Sequence, residues 1–157
     1  MSQNKPSVLN ISGSSFSMGI VAARYNQQWV DMLLKRVQQV WIESGVDPDQ
    51  ITIERVPGSL EIPYAVDAML RRKTPDCVVA LGLVFTGATQ HHELVLRESA
   101  RSLMDLSLKY STPIIQGILG VSSEQEADER CGVSYDRGGE FANAGLEMAQ
   151  LKQKWFL

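Results

Sequence analysis

Residues Cys77-Val-Val-Ala-Leu-Gly-Leu-Val-Phe85 form a nearly unbroken apolar run, followed by Thr86-Gly-Ala-Thr-Gln-His-His92 and by the amphipathic stretch Glu93–Tyr110. An apolar run of this length is the pattern of a central parallel strand covered on both faces. Beyond it, Leu96, Ala100, Leu103, Ser107 and Tyr110 share one face at helical spacing. A strand, a Gly-bearing turn and a helix in that order make a ready anion site, because first-turn N–H groups have no intrahelical partner. His91 and His92, in that first turn, add proton carriers beside the anion. The combination predicts an enzyme acting on a small phosphorylated substrate.

Upstream of this unit, Phe16–Ala23 reads as a first strand, with Asn26 as the N-cap of the next helix. Val30, Leu33, Leu34, Val37, Val40 and Trp41 mark that helix's apolar face. Gly45 ends it, and Asp47-Pro48-Asp49 turns the chain. Ile51–Val56 alternates and is β-branched, so it is a second strand. After the break at Pro57-Gly58, Ile62, Ala65, Val66, Met69 and Leu70 mark a second helix, with Pro63 tolerated in its first turn.

Downstream, Thr112-Pro113 ends the third helix and Ile114–Leu119 is a fourth strand. Ser122-Ser123 before Glu124-Gln125-Glu126 resembles a capping box opening a short helix that Cys131-Gly132 closes. Arg137-Gly138-Gly139 reads as a loop before a final helix, Glu140–Lys154. The order βαβαβαβ plus two helices implies right-handed crossovers and a parallel sheet. The expected fold is α/β, a flavodoxin-like three-layer sandwich with a four-stranded parallel sheet. Residues 1–15, polar and without an apolar core segment, read as a flexible N-terminal arm and no signal peptide. Residues 16–157 read as one domain, which the chain length of 157 also suggests.

Composition narrows the function. A net charge of −3 argues against a nucleic-acid surface, and the largest basic cluster, Arg71-Arg72-Lys73, suits a helix C-terminus. No apolar run is long enough to span a membrane. Two distant cysteines, Cys77 and Cys131, fit free thiols in a reducing compartment, and a cytoplasmic location is expected.

In an open parallel sheet, ligands sit beyond the carboxyl ends of the strands. That rule selects Arg24–Asn26, Pro57–Glu61, Phe85–His91 and Gly117–Val121. Tyr25 can stack on a flat heterocycle, or pack as a boundary aromatic. Ser59 and Glu61 can hydrogen-bond a polyol or exocyclic amine, or simply start a helix, with Ser59 as N-cap. The amides of Ala88 and Thr89, with the Thr89 hydroxyl, can hold a phosphate, or Thr89 can merely cap the helix. His91 and His92 are adjacent, so they point to different faces, and no third ligand accompanies them; this argues against a metal site. Arg130 and Arg137 can supply charge to a phosphate, or Arg130 can serve its own helix end.

Taken together, Ala23-Arg24-Tyr25-Asn26, Val56-Pro57-Gly58-Ser59-Leu60-Glu61-Ile62-Pro63, Gly87-Ala88-Thr89-Gln90-His91 and Glu129-Arg130-Cys131-Gly132 resemble the lumazine synthase family. The resemblance runs in order from about Phe16 to Leu151. It implies condensation of 5-amino-6-ribitylaminouracil with 3,4-dihydroxy-2-butanone 4-phosphate to 6,7-dimethyl-8-ribityllumazine, the penultimate step of riboflavin biosynthesis, with no cofactor or metal. It places Tyr25 against the pyrimidine, Ser59, Leu60 and Glu61 on the ribityl side, and Leu83, Val84 and Phe85 at the pyrimidine. Ala88, Thr89 and Arg130 match its phosphate site, and His91 its proton-transferring histidine. Gln116 stands where a Phe usually closes the pocket from a neighbouring subunit.

Other departures are Tyr25 for a usual Phe, His92 for a usual aromatic, Thr86 for a frequent Arg, and Arg137 near a common Lys. The resemblance also implies pentamers or multiples of pentamers, with riboflavin synthase as a candidate partner. The alternatives are a pocket-retaining relative with weak turnover that binds lumazine or flavin or builds a shell, and a flavodoxin-like flavin carrier. Against the last, the chain lacks the Ser/Thr-rich phosphate loop expected after strand one.

Overall fold

Met18–Ala23 (β1) is buried at every residue and lies inside the sheet, as its apolar composition requires. The computed structural model describes residues 4–87 and 90–156. Ile51–Val56 (β2) and Cys77–Phe85 (β3) flank β1, and Ile114–Val121 (β4) completes a sheet of order β2-β1-β3-β4. All pairings are parallel, with Met18 opposite both Ile51 and Cys77. The α/β architecture is the expected one.

Two-residue alternation sorts the strands between two cores. Met18, Ile20 and Ala22, with Cys77, Val79, Leu81 and Leu83, face Gln27–Glu43 (α1), Glu124–Cys131 (α4) and Arg137–Phe156 (α5). Val21, Ala23, Val78 and Ala80 face Ile62–Lys73 (α2) and His91–Tyr110 (α3). Trp41 anchors the first core, fully buried, its indole N–H donating to the Ala142 carbonyl at 3.0 Å.

Several boundaries differ from the sequence expectation. β1 begins at Met18, because Phe16 closes a turn on Gly13 and Ser17 exchanges hydrogen bonds with Asp76. β4 extends to Val121 because it pairs with β3 as far as Phe85. Gly138-Gly139 is no loop; both lie in the first turn of α5. Asp136 caps that turn, its carboxylate accepting from the Gly139 N–H at 3.1 Å while Arg36 donates two bonds to it. A side chain on Gly138 would place Cβ 2.8 Å from the Arg36 Cβ, so glycine here lets α1 and α5 approach. The capping arrangement before α4 is also shifted. Ser123 accepts from the Glu126 N–H, but Glu126 returns its bonds to Ser122.

Candidate active site

The chain leaves β1 toward β2 and β3 toward β4, so the two connections diverge between β1 and β3. This is the switch point at which open sheets form a crevice. A cleft of about 360 Å³ lies there, lined by Tyr25, Asn26, Gly58, Ser59, Leu60, Glu61, Leu83, Val84, Phe85, His91 and Val95. The structure thus brings together Tyr25, the 59–61 turn, the end of β3 and His91. Gln116 and Arg130 do not line it, and Ala88 and Thr89 lie outside the described residues.

Each wall is fixed by bonds between distant segments. The Arg24 and Tyr25 N–H groups donate to the Val56 and Pro57 carbonyls at 2.8 and 3.0 Å, carrying the β1–β2 pairing past the strands. Asn26 then enters the left-handed region (φ 55) and starts α1, but its side chain does not cap the helix. Its amide instead donates to the Leu83 carbonyl at 2.7 Å, tying the ends of β1 and β3 together under the cleft. Tyr25, 73% exposed, lies above this tie with its ring beside Gly58.

The opposite wall is a 3-10 turn, Ser59–Glu61. The N-cap is Gly58, not Ser59, and the Glu61 carboxylate accepts from the Gly58 N–H at 2.9 Å. A Cβ on Gly58 would meet the Tyr25 ring at 3.2 Å, so a larger residue here would push the ring outward by a few tenths of an ångström. Ser59 is buried because β3 admits it at Gly82, where a methyl would lie 2.5 Å from its Oγ. The Ser59 carbonyl accepts from the buried Ser99 hydroxyl of α3 at 3.1 Å. The floor is apolar: Leu83 is buried, and Phe85 meets Trp29 edge-on at 5.2 Å between ring centroids.

His91 is the first residue of α3 and exposed, one turn before the buried Val95. It also borders a second cleft of about 340 Å³ with Gln90, Glu93, Leu94 and Arg97. His92 lines neither cleft, and its Nδ1 accepts from the Gly87 N–H at 3.3 Å. Gly87 itself needs no special backbone, since the positive-φ glycine among the described residues is Gly45, and a Cβ at Gly87 would meet nothing within 4 Å.

On the β4 side the charged residues are engaged locally. Arg130 donates from Nε to Glu126 at 2.8 Å within α4, and its guanidinium faces the Tyr135 ring. Glu126, held by the Ser122 N–H and hydroxyl and then by Arg130, has its pKa pulled down to about 2. Arg137 pairs with Glu140 and covers Phe141. Gln116 is exposed on β4 and donates to the Ile118 carbonyl at 3.3 Å. Cys77 and Cys131 are free and buried, and burial pushes their thiols up to about 12 and about 11. Among the described residues, no three His, Cys, Asp or Glu side chains gather as a metal site, and no helix is long and apolar enough to cross a membrane.

Val95 lines the cleft although the sequence did not single it out, and Asn26, which lies in the selected Arg24–Asn26 turn, was assigned only a capping role. Asn26 carries a readable signal only as a helix start, while its bond spans 57 positions of sequence. Val95 follows from helical spacing once His91 is placed, four residues before it.

A family model for 6,7-dimethyl-8-ribityllumazine synthase matches residues 15–153. A protein named 6,7-dimethyl-8-ribityllumazine synthase from Thermococcus gammatolerans is 37% identical over 90% of this chain and 91% of its own length. The Aquifex aeolicus protein of that name is 34% identical over 90% of this chain and 92% of its own. That from Methylibium petroleiphilum is 37% identical over 94% and 90%. With its cleft at the β1–β3 switch point and matches along nearly its whole length, the chain belongs to the 6,7-dimethyl-8-ribityllumazine synthase family.

Proposed function

We propose that the chain catalyses the condensation of 5-amino-6-ribitylaminouracil with 3,4-dihydroxy-2-butanone 4-phosphate to 6,7-dimethyl-8-ribityllumazine. The observation that carries this reading is the gathering of Tyr25, Ser59, Leu60, Glu61, Leu83, Val84, Phe85 and His91 around one cleft. Tyr25 offers a ring face to the pyrimidine, and the end of β3 supplies an apolar wall and backbone groups. Ser59, Leu60 and Glu61 form the ribityl side. The amine attacks the ketone, phosphate leaves and the ring closes. His91 moves protons in imine formation and phosphate loss, a role for which an imidazole at the cleft wall is suited. No covalent nucleophile is required; holding both substrates together in a preorganised site supplies much of the acceleration.

Ala88, Thr89 and Arg130 form the phosphate site. Arg130 and Gln116 stand apart from the cleft of their own chain, so both serve the cleft of a neighbouring copy in a pentamer or a multiple of pentamers. Exposed apolar side chains on α3 and α5, among them Met104, Leu108, Trp155 and Phe156, provide surface for self-association. The two buried free thiols suit the reducing cytoplasm. Solution mass and lumazine formation measured on one sample test the reading. A pentameric mass or a multiple of it, with turnover above the uncatalysed rate, is expected. Absorbance that never exceeds background with both substrates present overturns the activity.

A further inference from the structure

We propose that His92 is a positioning residue that ties the first turn of α3 to Gly87 at the exit of β3 and so fixes His91 at the cleft wall. The inference rests on the role given to His91 above. The His92 Nδ1 accepts the Gly87 N–H at 3.3 Å across five residues, joining the exit of β3 to the first turn of α3. An imidazole nitrogen that accepts carries no proton, so the bond is made by the bare Nδ1. The Nδ1 lone pair is therefore engaged, which leaves proton transfer to His91.

Gln90 occupies the N-cap position and makes no side-chain capping bond. Gly87 is not locked by its packing either, with nothing within 4 Å of a Cβ built there. His91 is exposed, and the buried anchor of this turn, Val95, lies one helical turn further on. A Phe or Tyr at position 92 fills similar space but offers no ring nitrogen to the Gly87 N–H. The arrangement thus belongs to the histidine of this chain.

Two variants separate the acceptor from the bulk. His92→Phe keeps a flat ring without the acceptor, and His92→Asn places Oδ1 near the position of Nδ1. Turnover, KM for each substrate and exchange of the Gly87 amide measured by NMR without substrate are the readouts. His92→Phe is expected to lower kcat about 3- to 10-fold, the scale of one neutral hydrogen bond, and to speed Gly87 exchange. KM for the aminouracil should stay unchanged, and His92→Asn should restore both kcat and amide protection. Wild-type kcat and exchange in His92→Phe, or an Asn variant as impaired as the Phe variant, overturns the proposal. So does a loss in His92→Phe as large as that of His91→Ala, which would make His92 the proton carrier. Wild-type protein that forms no lumazine instead overturns the reaction, while Gly87 exchange still decides whether the bond exists.

Discussion

The cleft between β1 and β3 and the ground beyond β4 are built in opposite ways. At the cleft, polar groups tie distant segments together: Asn26 to Leu83, Tyr25 to Pro57, Ser99 to Ser59. Beyond β4, Gln116 bonds two residues along its own strand and Arg130 bonds one turn back along its own helix. The first pattern holds a concave surface in shape before any ligand arrives. The second leaves side chains on the outside of the fold, engaged by bonds short enough in sequence to be exchanged when another surface arrives. This contrast is what the proposed shared site requires, in which one chain carries the body of one site and the closing residues of another.

The sharpest attempt to break this division is to remove His91. His91→Ala should reduce kcat by about 10²- to 10⁴-fold with little change in aminouracil binding, the usual range for loss of a proton carrier. Arg130→Ala should act on binding, raising KM for the phosphorylated substrate about 10-fold or more by removing a charge-assisted contact. An unchanged KM would take Arg130 out of the site. Mixing the two variants and reassembling them, assayed with the phosphorylated substrate well below the raised KM, should return about one site in four to wild-type behaviour, because a neighbouring pair can combine an intact His91 with an intact Arg130. If both residues serve the same chain's site, mixing restores nothing.

A smaller effect is expected from Asn26→Ala. It removes the bond to Leu83 and puts alanine in a left-handed backbone, together costing about 1–2 kcal/mol of stability by denaturant unfolding. Asn26→Gly relieves the backbone strain but not the lost bond, so it should recover only part. Equal stability of Asn26→Ala and wild type would mean that the tie under the cleft contributes nothing.

What the sequence made legible follows the same division. β2 and β3 lie where composition places them, at Ile51–Val56 and Cys77–Phe85, because β-branched and apolar runs end at Pro, Gly or charge. The cleft was found by a rule about strand ends that needs only topology. The role of Asn26 was hidden, since a left-handed residue reaching across 57 positions leaves no periodic trace. Gly138-Gly139 misled for a related reason: paired glycines signal a loop locally, yet here they admit a neighbouring helix. The separation of Arg130 and Gln116 from the cleft also depends on tertiary placement, which spacing does not encode.

The least effect is expected at the Glu126 cluster, and it tests whether the β4 side is held only by local charge. Glu126 ionises at about 2 in the folded chain against an ordinary 4.5, chiefly through the Ser122 N–H and hydroxyl and then Arg130. A folded value below the unfolded one means that the ionised carboxylate stabilises the fold above the unfolded pKa. That contribution is lost as pH falls through the window from 4.5 to about 2. Glu126→Gln should therefore flatten the acid limb of a stability-against-pH curve in this window while leaving the curve above it parallel to wild type. Because the carboxylate is open to solvent, added salt should shrink the difference. If the acid limb is unchanged, the bonds of the Glu126 carboxylate to Ser122 and Arg130 are not what holds α4 in place. Binding of the phosphorylated substrate is the separate test of the Arg130 pair: if Arg130 must leave Glu126 to reach the phosphate, Glu126→Gln should tighten that binding, and an unchanged affinity would mean that the two do not compete.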